Sequence, residues 1–194
     1  MINNKVKMAA IELLAISGLG LSGCAFNSSH TAESISGQYE EGTFVYMMPT
    51  LAHCKTEPIC TRLGFEWSEV TPLKSTFIVE VAGLHTNITG ASLTLDGETV
   101  ELTEMIPDSQ FIFQKYDHLR MNKDVTHQGF LTTLDVMKRL GETSPSEITV
   151  ITTNGTFTNT IKGGFGKRSE AYDGTWSMLH EVDKHSPSLI SDFD

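Results

Sequence analysis

A chain of 194 residues, with 39% of its side chains hydrophobic and 20% charged, is long enough for one domain with a real core. Its 14 basic and 24 acidic side chains give a net charge of −10. Such a surface repels phosphate backbones and anionic lipid, which excludes nucleic acid as a natural partner and leaves simple solubility or a basic protein partner.

The first segment reads as an export signal. Lys5 and Lys7 form a positive start, residues 8–21 are mostly apolar, and small residues lead to Cys24. The apolar run is shorter than the roughly 20 residues needed to cross a bilayer as a helix. Leu21-Ser22-Gly23-Cys24 resembles the lipobox of bacterial lipoproteins. The resemblance implies acylation of the Cys24 thiol, cleavage before Cys24 and acylation of the new amino terminus. It also implies an envelope protein held to the membrane by lipid. Ala25, rather than an aspartate, follows the cysteine, which places the protein at the outer membrane, facing the periplasm, on the family's pattern. Several acyl chains on one residue make a stable anchor where one does not, at about 0.8 kcal/mol per buried methylene. Taking Lys5, Lys7 and Glu12 out of the charge count leaves the processed chain at −11.

On this reading residues 1–23 are a signal peptide, and 24–42 are the lipidated cysteine and a flexible, Ser-, Asn- and Gly-rich tether. Residues 43–185 form a single β-rich domain, and 186–194 a frayed tail. Residues 43–48 form a β-propensity run stopped by Pro49. Cys54 and Cys60 remain once Cys24 goes to lipid, in a compartment where disulfides persist, and their spacing closes a short structural loop. In residues 64–68, Phe65 and Trp67 share a face at period two. Residues 75–82, STFIVEVA, are the clearest strand, with Phe77, Val79 and Val81 opposite Ile78 and Glu80.

Asp96-Gly97 between alternating segments marks a hairpin, because both turn positions need positive φ. Leu93 and Leu95 then share the core face with Val100 and Leu102. Residues 110–116 read as another aromatic strand and 117–126 as a polar loop. Phe130, Leu134, Met137 and Leu140 recur at three and four residues and predict a helix over 127–140, with Gly141 as its cap. Asn154-Gly155 predicts a second hairpin, between 148–153 and 156–161. A short closing helix is expected over 173–182, using Trp176 and Leu179. Two hairpins, further β runs and only two helical patterns define an α+β, β-rich fold: antiparallel, sandwich-like sheets with one or two packed helices.

Chemistry is less legible. Residues 163–169, GGFGKRS, do not have the spacing of a phosphate-binding P-loop. They read as a flexible loop after a hairpin, and Lys167 and Arg168 would suit an anion, most naturally a carboxylate. Asp117, His118, Asp124 and His127 are grouped ligand-type residues, better read as a solvated loop than as a metal site. Phe44, Tyr46, Phe65, Trp67, Phe111 and Phe113 would line a groove or, more simply, fill a core. No nucleophile elbow, metalloprotease helix or other catalytic motif is present, and no cofactor, metal ligand set or catalytic residue is assigned. A Ser–His pair or a pair of carboxylates assembled in space stays open. The expectation is a lipoprotein whose periplasmic domain binds a protein partner or supports assembly, for instance as an inhibitor or immunity protein. The alternatives are a small-molecule or cell-wall-binding module and a hydrolase.

Overall fold

The computed structural model describes residues 31–36, 42–54, 60–82, 87–104 and 125–190. The protein is α+β and β-rich, built from two antiparallel sheets with helices packed against them. The first sheet runs, in spatial order, β1 (Glu33–Ser36), β2 (Thr43–Leu51), β3 (Cys60–Ser68), β4 (Lys74–Ala82), β8 (Val125–Thr133) and β7 (Thr103–Glu104). The second runs β10 (Gly155–Lys162), β9 (Ser146–Thr152), β5 (Ile88–Leu95) and β6 (Glu98–Glu101). The helices are α1 (Leu134–Glu142), α2 (Glu170–His185) and the single turn α3 (Pro187–Ile190).

The core lies between the sheets and under α2. Period-two alternation sends Leu63, Phe65 and Trp67 of β3 and Phe77, Val79 and Val81 of β4 inward, where they meet Leu93, Ile148, Val150 and Ile161 of the second sheet. Phe65 and Phe77 face each other across the ladder and pack edge to face at 4.7 Å. The Trp67 indole N–H, buried with its ring, donates to Pro72 O at 2.9 Å. The sheets are tied along one flank by backbone bonds between His53 and Thr160 and by the Asn159 amide, which donates to Thr61 Oγ1 at 2.8 Å.

The Asp96-Gly97 hairpin forms as expected, with φ of 50° and 82°, and Leu93 stands opposite Val100. The second hairpin turns one residue earlier than its dipeptide suggests. Thr152 pairs with Gly155, so Thr153 and Asn154 are the central residues. The Thr152 hydroxyl organises this turn, accepting from Asn154 N–H at 3.2 Å and donating to Gly155 O at 2.9 Å. Pro49 does not end its strand. β2 continues to Leu51 through a register shift between Met47 and Thr50, which removes the missing proline N–H from the ladder.

Three boundaries differ from expectation. Residues 33–36, expected in the tether, pair antiparallel with β2. Just before them, Ala32 is buried and its N–H donates to Ser177 Oγ of α2 at 2.8 Å. The helix expected over 127–140 is a strand as far as Thr133. β8 pairs along its full length with β4 and brings Phe130 opposite Phe77, so sheet pairing overrides the helical period. α1 then starts from Thr133, whose hydroxyl accepts from Val136 N–H. Gly141 lies inside α1 rather than capping it, and the helix ends on Thr143, whose N–H bonds Arg139 O at 2.8 Å. Pro187–Ile190, expected within a frayed tail, coils into α3, and Ile190 is buried.

The closing helix is longer than expected, α2 starting at a Ser169 cap. Its core face is Ala171, Tyr172, Thr175, Met178, Leu179 and Val182, while Trp176 stays partly exposed. Gly174 sits where the helix meets β2. An added Cβ would overlap Met47 Sδ and stand 3.3 Å from Thr50 Oγ1. Gly174→Ala should therefore destabilise the fold by about 1–2 kcal/mol in urea unfolding, despite the better helix propensity of alanine. Combined with Met47→Ala, it should cost less than the sum of the two. A Gly174→Ala protein as stable as the native chain would refute this packing account.

Candidate functional site

Residues 96–104 form the rim of both sheets. Among the described residues β6 is the last strand of the second sheet and β7 the last strand of the first. Between them Leu102 is buried in the core, its N–H still donating to Ala91 O of β5 at 3.0 Å. There the chain passes from one sheet edge to the other. Val100 and Leu102 contact the core, and Asp96, Glu98, Glu101 and Glu104 are exposed. Glu98 reaches Arg139 Nη2 of α1 at 2.5 Å, a surface pair of small energetic value. The rim is therefore an acidic strip on paired strand edges, where charge also guards against unwanted strand addition.

A second polar group lies on the outer face of the first sheet. Arg62, Glu80 and His127 stand opposite one another on β3, β4 and β8. Arg62 Nη1 donates to Glu80 Oε1 at 3.0 Å, with the Glu80 side chain fully buried. On another rung, Tyr46 pairs with Glu66, and the Tyr46 hydroxyl donates to Glu33 Oε2. Burial, then the Glu33 bond and charge, push the Tyr46 phenol up to about 12. Glu66 is 7% exposed, its Oε1 has no hydrogen-bond partner, and burial alone pushes its carboxyl up to about 8. Glu66 is thus a neutral acid at pH 7. Such a group serves acid–base chemistry where substrate reaches it, and a carboxyl this enclosed fits a structural role.

The loop carrying Lys167 and Arg168 is ordered. Gly163 N–H donates to Lys167 O at 2.8 Å, Lys162 and Arg168 form an isolated bridge, and Ser144 Oγ donates to Gly163 O at 3.3 Å. At its tip Phe165 adopts φ 58°, ψ 28° and is fully exposed, a left-handed conformation that costs a non-glycine residue about 1–2 kcal/mol. Lys167 and Arg168 are exposed at the foot of this tip. The Arg168 guanidinium lies 5.4 Å, and Lys162 Nζ 4.6 Å, from the centre of the Tyr172 ring.

Cys54 and Cys60 stand at disulfide distance, with their Cα atoms 5.1 Å apart. Cys24, Asp117, His118, Asp124, Phe111 and Phe113 lie outside the described residues. His127 belongs to β8, not to a loop. Among the described residues no group of three or more His, Cys, Asp and Glu side chains converges to hold a metal ion. Phe65 and Trp67 are core residues. Arg62 and Glu66 were not singled out in the sequence, and Glu80 was placed only on the face opposite Phe77, because a strand carboxylate reads as solvent-facing. The one available signal was Ile78 sharing a face with Glu80, which marks a second covered surface.

No protein-family model, curated protein or solved structure significantly matches the chain.

Glu66 makes stability depend on pH with a definite sign. Its folded value is raised above the ordinary 4.5, to about 8, so the folded state holds a proton that the unfolded chain releases. That stabilisation is complete below about pH 4.5 and is lost as pH rises through about 8. The expected result is a falling urea midpoint across this window in the native protein, with the Glu66 share of the slope removed in Glu66→Gln. An unchanged slope in Glu66→Gln would contradict the assignment.

Proposed function

We propose that the protein is an envelope lipoprotein, anchored through Cys24 at the outer membrane, whose periplasmic domain binds a basic protein partner along the acidic rim. The observation that carries the reading is the placement of Asp96, Glu98, Glu101 and Glu104, all exposed, on the edge where both sheets end. Concentrated negative charge steers a basic partner and fixes its register more than it adds raw affinity. The anchor rests on the lipobox-like Leu21-Ser22-Gly23-Cys24. An inhibitor or immunity protein for a basic enzyme is one form of this activity, and an assembly factor is another. A small-molecule or cell-wall-binding module is less well supported, because Phe65 and Trp67, which would line its groove, are spent on the core.

Two measurements test the parts separately. Protein extracted from the envelope should begin at Cys24 and carry the mass of its acyl chains, and Cys24→Ser should abolish incorporation of labelled fatty acid. Incorporation that survives the substitution would end the anchor reading. In pull-downs from envelope extract, a basic protein should be retained at low salt and released at high salt. It should be lost from the chain carrying Glu98→Lys, Glu101→Lys and Glu104→Lys. Retention indifferent to both salt and charge reversal would remove the acidic rim as the binding surface.

A further inference from the structure

The tip between β10 and α2 holds an apolar side chain away from the protein on a strained but well-bonded turn. Phe165 has a relative exposure of 109% at positive φ. The bonds from Gly163 to Lys167 and from Ser144 to Gly163, with the Lys162–Arg168 bridge, keep the turn closed beneath it. Backbone strain spent on exposing a phenyl ring points to an occupant outside the domain. Lys167 and Arg168 flank the ring on a chain of net charge −10, so the local charge complements an anion although the whole protein is acidic. The nearest carboxylates in sequence, Glu170 and Asp173, belong to the first turn of α2, where the helix dipole favours them.

The place where the tether joins the domain identifies the occupant. Ala32 is fastened to Ser177 of α2, and along a helix Ser177 lies only about 10 Å from the first residue, Glu170. Residues 24–31 can extend to at most about 28 Å, so an anchor at Cys24 keeps this flank close to the bilayer. In strand order β1 and β10, which adjoin α2, lie at the ends of their sheets opposite the acidic β6 and β7. We propose that the Phe165 loop is a second membrane contact, with the phenyl ring entering the interface and Lys167 and Arg168 engaging anionic phospholipid headgroups. This rests on the lipoprotein reading, and it adds the orientation of the domain: loop flank to the bilayer, acidic rim away from it.

The test uses full-length chain processed in cells and reconstituted into vesicles of phosphatidylcholine and phosphatidylglycerol that carry a lipid-borne nitroxide quencher. A polarity-sensitive fluorophore is placed at Phe165→Cys or, for comparison, at Glu104→Cys. The 165 label should be blue-shifted and strongly quenched while the 104 label stays bright. Lys167→Glu and Arg168→Glu, in the labelled chain, should each lower the quenched-to-bright ratio about fivefold. Equal brightness at the two positions in vesicle-bound protein would overturn the membrane contact and leave the anchor intact. Protein that fails to stay with vesicles would defeat the anchor and this proposal together. A 165 label untouched by the quencher but crosslinked to a protein in envelope extract would reassign the loop to a protein partner and overturn the lipid contact.

Discussion

The architecture depends on how closely α2 comes down on β2. Without a side chain at Gly174, the helix settles against Met47 and Thr50 and covers the inner face of the first sheet beyond the reach of the second sheet. Ala171, Met178, Leu179 and Val182 then join the same core as the two sheets. The positions of several other parts follow from this docking. Ser177 is brought to the N–H of Ala32, and Glu181 to the Ser34 hydroxyl of β1. Glu181 is held below its ordinary value, by Lys184 first and also by Ser34, with burial opposing. An edge strand thus gains on the helix the anchorage that one flanking ladder alone does not supply.

Much of this fold was legible in the sequence where local chemistry has a single solution. Asp96-Gly97 reads correctly because its turn demands two positive φ values. The alternation of Phe77, Val79 and Val81 reads correctly because one face of the strand enters the core. Where two solutions satisfy the same residues, the long-range partner decides. Phe130 and Leu134 fit a helical stripe, yet Phe130 also completes a ladder with Phe77, and β8 follows the ladder. Glu66 and Glu80 were illegible for a related reason: alternation tells two faces apart only when one of them meets water, and on β3 and β4 both are covered. In the loop after β10, residue types named Lys167 and Arg168, but nothing in the letters GGFG fixes the backbone that presents Phe165.

Among the described residues two local patches of opposite sign lie at different ends of the strand order, although Arg139 reaches the acidic one and Glu170 and Asp173 follow the basic one. The acidic side chains of the rim lie on strands that end both sheets, and the basic residues around the Phe165 tip lie beside the helix at the other side of the strand order. The two patches come from connectivity rather than from composition. Residues 96–104 carry one acidic stretch from sheet to sheet, and the short loop from β10 to α2 collects Lys162, Lys167 and Arg168. An acidic protein can therefore present surfaces of opposite sign, which suits unlike neighbours on its two sides.

Tyr172 links parts of the chain distant in sequence. Its phenol oxygen receives Lys162 Nζ of β10 at 2.9 Å and donates to Gly141 O of α1 at 2.8 Å, while the residue itself belongs to the first turn of α2. The carbonyl it satisfies is one of those a helix end leaves without an internal partner. One oxygen atom is thus the shared node of a strand, the end of one helix and the beginning of another. The buried bond from Tyr172 to Gly141 ties the end of α1 to the start of α2, so opening either leaves a buried polar group of the other without its partner, and Lys162 attaches β10 to the same node. Amide protons around Gly141, Lys162 and Tyr172 would then exchange with solvent through a common opening event rather than through separate fraying of each element.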